Sequence, residues 1–220
     1  MAEIKACIFD LDGVLVDTAV YHFKAWKRLA NRLGFDFTEK QNESLKGVSR
    51  SRSLELLLEW GGLSLPADTM QELAHQKNGW YVEMISSMTP QDVLPGVTGF
   101  LASVREQGIR TALGSASKNA ALILERTGLH IFFDAVVDGN MIPASKPDPA
   151  VFLEGAALLQ QPPAACLVFE DAVAGIKAAQ AAGMNVVGVG NEAVLNEAGL
   201  VVKDLSGISI HAISHHFSAL

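Results

Sequence analysis

From Pro95-Gly96 onward the chain alternates short apolar runs with segments of helical spacing, and glycines close most of the helical ones. The pattern predicts helices over 97–107, 119–127, 150–159 and 174–182, of which the first, second and fourth stop at Gly108, Gly128 and Gly183. Strands are expected over 109–113, 135–137, 166–169 and 185–189. Runs such as Cys166-Leu167-Val168-Phe169 are apolar throughout, without the alternation of a half-solvated strand. Strands of that kind, separated by helices, form a parallel sheet covered on both faces. One more strand opens the chain. Ala6-Cys7-Ile8-Phe9 is too short for a helix and runs into Asp10-Leu11-Asp12-Gly13, which reads as a loop.

Between residues 17 and 91 nothing reads as a strand. A helix is expected over 21–34, with Phe23, Trp26, Leu29, Ala30 and Leu33 on one face and Lys24, Lys27, Arg28 and Arg32 on the other. Asp17 or Thr18 stands where a cap would be. Further helical stretches follow at 54–60 and 67–88, and residues 209–220 suit a terminal helix. The expected fold is therefore α/β. A Rossmann-like parallel sheet core of residues 1–16 plus 92–220 is interrupted by a small α-helical domain, residues 17–91. Charge follows the same division. Residues 17–91 hold nine basic and nine acidic side chains, and the rest hold eight and fifteen, so the net charge of −7 belongs to the α/β part. That balance argues against a nucleic-acid or anionic-membrane binder. With 220 residues, 49% of them hydrophobic and only 19% charged, the chain can bury a core and is not disordered. Residues 1–9 carry Glu3 and Lys5 and resemble no secretory signal. No apolar run approaches the roughly 20 residues of a membrane span, so the expected location is the cytoplasm. Cys7 and Cys166 lie in apolar runs and are expected as buried thiols, with no CxxC to suggest zinc. His211, His215 and His216 are expected at the surface.

Ligands of open parallel sheets bind beyond the carboxyl ends of the strands, near the point where strand order reverses. Past the first strand stand Asp10 and Asp12. Past strand 109–113 comes Gly114-Ser115-Ala116-Ser117-Lys118-Asn119, and past 166–169 come Glu170 and Asp171. The loop before helix 150–159 carries Lys146-Pro147-Asp148-Pro149. Four carboxylates on one rim repel one another and titrate upward unless a cation joins them. A hard divalent cation such as Mg²⁺ suits oxygen ligands, while the serines, a helix start and Lys146 suit a phosphate. Asp10 can then act as a nucleophile that forms an aspartyl phosphate. Singly, each feature has a plainer account. Ser117 can cap a helix, Lys146 can be a solvated loop lysine, and Glu170-Asp171 can favour the next helix dipole. Arg50, in Ser49-Arg50-Ser51-Arg52, can be a solvated helix-start arginine. Asp-x-Asp-Gly can open a calcium loop, but here it follows a strand and lacks the glutamate at loop position 12. The recurrence at successive strand ends is what favours a site.

Phe9-Asp10-Leu11-Asp12-Gly13-Val14, Ser115, Lys146-Pro147 and Glu170-Asp171 resemble, in order, the four motifs of the haloacid dehalogenase superfamily. The helical insertion resembles its small α-helical cap. The likeness runs to about Gly190. Within the superfamily, residues 18–26, 45–50, 77–78 and 115–119 are similar to the β-phosphoglucomutases, which interconvert β-glucose 1-phosphate and glucose 6-phosphate through β-glucose 1,6-bisphosphate. The resemblance implies Asp10 as nucleophile and Asp12 as general acid/base. It implies one Mg²⁺ on Asp10, the Asp12 carbonyl oxygen, Asp171 and Glu170. It further implies Ser115, the Ala116 N–H and Lys146 around the transferring phosphate, and Arg50, Ser117, Lys118 and Asn119 around the other. Lys46, Gly47, Val48 and Lys77 would meet the sugar from the cap beside Trp26, with Thr18 and His22 at the hinge. Sugar phosphates are the implied partners, glucose 1,6-bisphosphate the primer, and a monomer the expected state. A hexose-phosphate phosphatase would use the same Asp10 and Asp12 but needs no second phosphate pocket. A catalytically dead sugar-phosphate sensor would lack Asp10, Asp12 or Lys146, and all three are present.

Overall fold

A computed structural model of the chain describes residues 3–218. Six strands, β1 (Ala6–Phe9), β2 (Arg110–Gly114), β3 (Ala135–Val137), β4 (Cys166–Glu170), β5 (Asn185–Val189) and β6 (Leu200–Val202), form one parallel sheet in the order β3-β2-β1-β4-β5-β6. The order reverses at β1, so the ends of β1, β2 and β4 open onto one crevice.

Side-chain alternation along β1 divides the core in two. Cys7 and Phe9 enter the apolar cluster on one face, and Ala6 and Ile8 the cluster on the other. On the first face Phe9 stacks on Phe169 of β4 at 4.6 Å, with the Phe100 ring edge-on at 6.2 Å. Helices α5 (Val97–Glu106), α6 (Ala120–Thr127) and α9 (Ile210–Ser218) cover that face. Helices α7 (Ala150–Leu158) and α8 (Val173–Ala181) cover the other.

Four helices lie between β1 and a 3-10 turn at Pro90–Asp92. They are α1 (Ala19–Arg32), α2 (Glu39–Glu43), α3 (Arg50–Trp60) and α4 (Ala67–Ile85). They bury a third apolar cluster of their own, centred on Trp26, Leu29, Phe37, Leu54 and Leu57. The inward face of α1 is the predicted one, and on the outer side Arg28 lies over the Trp80 ring of α4 at 4.1 Å.

The departures from expectation are local and have physical reasons. Helix α3 begins at Arg50, not 54, because the Ser49 hydroxyl accepts from the Arg52 N–H, a cap outside the apolar pattern. The five-residue α2 is too short to show a period and is held by a capping box between Thr38 and Gln41. Three-residue β6 was not expected either, and it closes one edge of the sheet. Thr18 occupies the cap position of α1 but makes no capping bond; its hydroxyl is used elsewhere. Helix α9 is described to Ser218, and the last two residues of the expected helix lie outside the described residues. His211 and His215 are exposed, as expected; His216 is half-buried, its Nε2 donating to the Gly199 carbonyl at 3.0 Å. Both cysteines are buried and unpaired, as expected. Among the described residues no helix is long and apolar enough to cross a membrane.

Candidate active site

The floor of the crevice is built by β1 and β4. The Asp10 N–H donates to the Phe169 carbonyl at 2.9 Å, which fixes the residue just past the strand end. Lys146 is fully buried and donates to Asp10 Oδ1 at 2.5 Å and to Glu170 Oε2 at 2.7 Å. Burial alone would lower its ammonium, but the two carboxylates outweigh that and hold it above its usual value. Glu170 Oε1 accepts from the N–H groups of Asp171 and Ala172 at 3.2 and 3.1 Å. Asp171 meets Lys46 of the helical insertion at 3.2 Å.

Carboxylate oxygens of Asp10, Glu170 and Asp171 lie within 4.8 Å of one another. Burial lifts Glu170 to about 8 against the pull of Lys146. It lifts Asp171 to about 6, with Asp10 adding to the rise and Lys46 opposing it. Hard oxygen donors crowded this way fit a divalent cation such as Mg²⁺, whose charge would offset the repulsion. Three of the four rim carboxylates form this cluster; the resemblance implies the fourth, Asp12, as a metal ligand only through its carbonyl oxygen. The Asp12 side chain lies outside that cluster and accepts a hydrogen bond from Thr18.

Two glycines make room for this cluster. Gly13 has φ +82°, and a Cβ on it would stand 2.1 Å from Asp171 Oδ2. A Cβ on Gly175 of α8 would stand 2.0 Å from Glu170 Cδ. Gly175→Ala is therefore expected to displace the Glu170 carboxyl from Lys146 and weaken Mg²⁺ binding roughly tenfold or more. Titration calorimetry measures this, and an unchanged affinity means that Glu170 does not support the ion.

The loop after β2 forms one wall. Ser115 is buried, and its hydroxyl accepts from the Ser117 N–H at 3.1 Å; the Ser117 hydroxyl accepts from the Asn119 N–H at 3.3 Å. These turns leave half-buried Ala116 and exposed Lys118 on the cavity. Asn119 reaches across to the insertion, donating to Asn78 Oδ1 of α4 at 3.0 Å. Together with the Lys46–Asp171 pair, this contact places the helical unit on the core.

A cavity of about 890 Å³ lies between them, with Asp10, Asp12, Ser115 and Lys118 on the core side. Lys46, Gly47, Val48 and Arg50 face it from the insertion, and Trp26 and His22 from α1. Arg50, half-buried in the first turn of α3, pairs with no carboxylate among the described residues. Lys77 also reaches the cavity, but its ammonium is committed inward. It lies 2.9 Å from His22 Nδ1 and 4.4 and 4.9 Å from the Trp26 and Tyr81 ring centres. Burial pushes both His22 and Lys77 well down; Lys77 and Arg50 add to the fall of His22, and Arg50 adds to that of Lys77 while Asp12 opposes it. His22 Nδ1 and the Lys77 amine are thus partners facing each other beside the cavity. Asp12 rises to about 8, first through burial and then through Asp10 and Asp171. A carboxyl tuned near neutrality can both give and take a proton.

Sequence reading did not single out Ser53, Asn42 or Tyr81. Ser53 and Asn42 are polar, buried and on the cavity wall. A serine on the apolar side of α3 was the available signal for the first; Asn42 sits in α2, which carried none.

Known proteins resemble the chain over most of its length. The family model described as haloacid dehalogenase-like hydrolase matches residues 4–183. The chain is 44% identical to a β-phosphoglucomutase of Bacillus subtilis over 96% of its own length and 94% of the relative's. It is 31% identical to a phosphorylated carbohydrates phosphatase of Thermotoga maritima, over 82% of each chain. The crystal structure of a β-phosphoglucomutase from Clostridium difficile superposes with a TM-score of 0.95 at 41% identity, covering 98% of both chains.

Proposed function

The chain belongs to the haloacid dehalogenase-like hydrolase family, and we propose that within it the protein is a phosphomutase interconverting β-glucose 1-phosphate and glucose 6-phosphate. The observation that carries this reading is one cavity, which we read as having two cationic ends. Buried Lys146 backs Asp10, and Arg50 and Lys118 line the cavity with no carboxylate partner among the described residues, which favours them for a second end. A bisphosphate needs two such ends, and it must fit in either orientation for one nucleophile to serve both positions. A phosphatase needs only the first.

Residues 17–91 act as the cap and residues 1–16 plus 92–220 as the core. Asp10 attacks the phosphorus of β-glucose 1,6-bisphosphate; the Asp10 O–P bond forms and the P–O bond to the sugar breaks. Asp12 gives its proton to the departing sugar oxygen. After the sugar turns over, or exchanges for β-glucose 1-phosphate, its free hydroxyl attacks the aspartyl phosphate and Asp12 takes the proton back. Ser115, the Ala116 N–H and Lys146 hold the moving phosphoryl oxygens. Arg50, Ser117, Lys118 and Asn119 hold the resting phosphate, and Lys46, Gly47, Val48 and Lys77 bound the sugar. Asp10, Glu170, Asp171 and the Asp12 carbonyl would hold Mg²⁺, which when bound neutralises charge between carboxylate and phosphoryl oxygens. The closed cap excludes water from the aspartyl phosphate.

Phosphorus NMR of the protein with Mg²⁺, β-glucose 1-phosphate and a trace of bisphosphate tests the reading. Glucose 6-phosphate as product supports it; accumulating free phosphate points to the phosphatase alternative. Arg50→Ala should cut mutase turnover by roughly tenfold to a hundredfold, the worth of one charge-assisted bond of about 1.5–3 kcal/mol. Hydrolysis of a small phosphate ester by the same variant should change little. An unchanged mutase rate removes the two-ended site.

A further inference from the structure

Among the described residues, one buried side-chain polar atom has no hydrogen-bond partner: the hydroxyl of Tyr81. Tyr81 sits on α4 and is fully buried, where the cap meets the first-face core. Its ring lies 4.1 Å from the His22 ring and 4.9 Å from the Lys77 ammonium. Its hydroxyl faces Thr18 and Ser117, and the Asp12 carboxyl and Arg50 are close enough to act on it by charge. Thr18, also fully buried, donates to Asp12 Oδ1.

An unpaired buried hydroxyl lowers stability, and a phenylalanine would fill the same space without that cost. Packing and stacking therefore explain the ring and leave the oxygen unexplained. Its surroundings supply a use. The Thr18 hydroxyl spends its one proton on Asp12 and keeps its lone pairs, and the Tyr81 O–H lies beside it and beside Ser117 without a well-formed hydrogen bond to either. We propose that Tyr81 is a positioning residue, which donates to Thr18 Oγ1 when ligand draws cap and core together and so holds the Thr18 proton on Asp12. The chain Tyr81–Thr18–Asp12 then fixes the acid/base in the orientation that meets the sugar oxygen. The inference rests on the phosphomutase reading and deepens it.

Tyr81→Phe keeps the ring and removes only the donor. Its melting temperature should equal or exceed that of the wild type. Mutase kcat should fall about three- to tenfold, as for one hydrogen bond made in the reacting state alone, with KM for β-glucose 1-phosphate little changed. Phosphorylation of Asp10 by acetyl phosphate, whose leaving acetate needs no proton, should run at the wild-type rate. Thr18→Val should show the same kcat loss, and the double variant should lose little more than either alone. Wild-type kcat in Tyr81→Phe overturns the inference, as does an equal loss with acetyl phosphate, which would mean a general disturbance of the site. If the wild-type protein itself fails to convert β-glucose 1-phosphate, the phosphomutase reading falls and this inference falls with it. An active wild type beside an unaffected Tyr81→Phe removes the inference alone.

Discussion

Asp10→Asn should abolish interconversion, with a loss of about 10⁴ to 10⁶ in turnover, the scale seen when a covalent nucleophile is removed. The amide has nearly the shape of the carboxylate but no charge and no nucleophilic lone pair to offer phosphorus. The fold should tolerate the change. Lys146 loses its 2.5 Å partner but keeps Glu170 at 2.7 Å, so no bare charge is left buried. Asp12, Glu170 and Asp171 each lose a like-charged neighbour that raises them. Intact-mass measurement after incubation with bisphosphate should find no phosphoryl adduct, while circular dichroism matches the wild type. Turnover within a hundredfold of wild type in this variant would mean that phosphoryl transfer bypasses Asp10.

The sheet and the residues at its strand ends were legible because both signals are local. An apolar run of four or five residues followed by Asp-x-Asp-Gly, Ser-Ala-Ser or Glu-Asp states the strand and its ligand-side loop together. Three structural facts were not local. Asp10 and Asp12, two apart, read as neighbours on one rim, and only the tertiary structure shows that the Asp12 carboxyl pairs with Thr18 at the start of α1. Lys77 read as a cap lysine facing the sugar, and only the packing of α1 against α4 adds that its amine also meets His22. Tyr81 falls at an apolar position of α4, where an aromatic ring signals core; that its oxygen is unpaired depends on neighbours sixty-three residues earlier and thirty-six later. Periodicity assigns a side chain to a face and is silent on what it meets there.

Asp12→Asn should leave a protein that binds its ligands and scarcely turns over, with a loss of about 10² to 10⁴ in rate. The contribution to the metal site proposed for Asp12 is its backbone carbonyl, which the substitution preserves. The Thr18 hydroxyl can still donate to the amide oxygen, so the Asp12–Thr18 contact at the start of α1 survives. Stability should hold or rise in the absence of metal, because Asp10 and Asp171 both raise the Asp12 carboxyl and an amide removes that repulsion. What disappears is the proton. A sugar alkoxide is a poor leaving group, so attack by Asp10 on the bisphosphate should slow most. Return of the phosphoryl group to a sugar hydroxyl should slow too, since the same carboxylate has to accept that hydroxyl's proton. Acetyl phosphate, whose leaving group needs no proton, should still phosphorylate Asp10 at close to the wild-type rate. Calorimetry should find β-glucose 1,6-bisphosphate bound about as tightly as by the wild type. Near-normal turnover in Asp12→Asn would remove it from the proton path and turn the search to His22, a titratable side chain of α1 on the cavity wall.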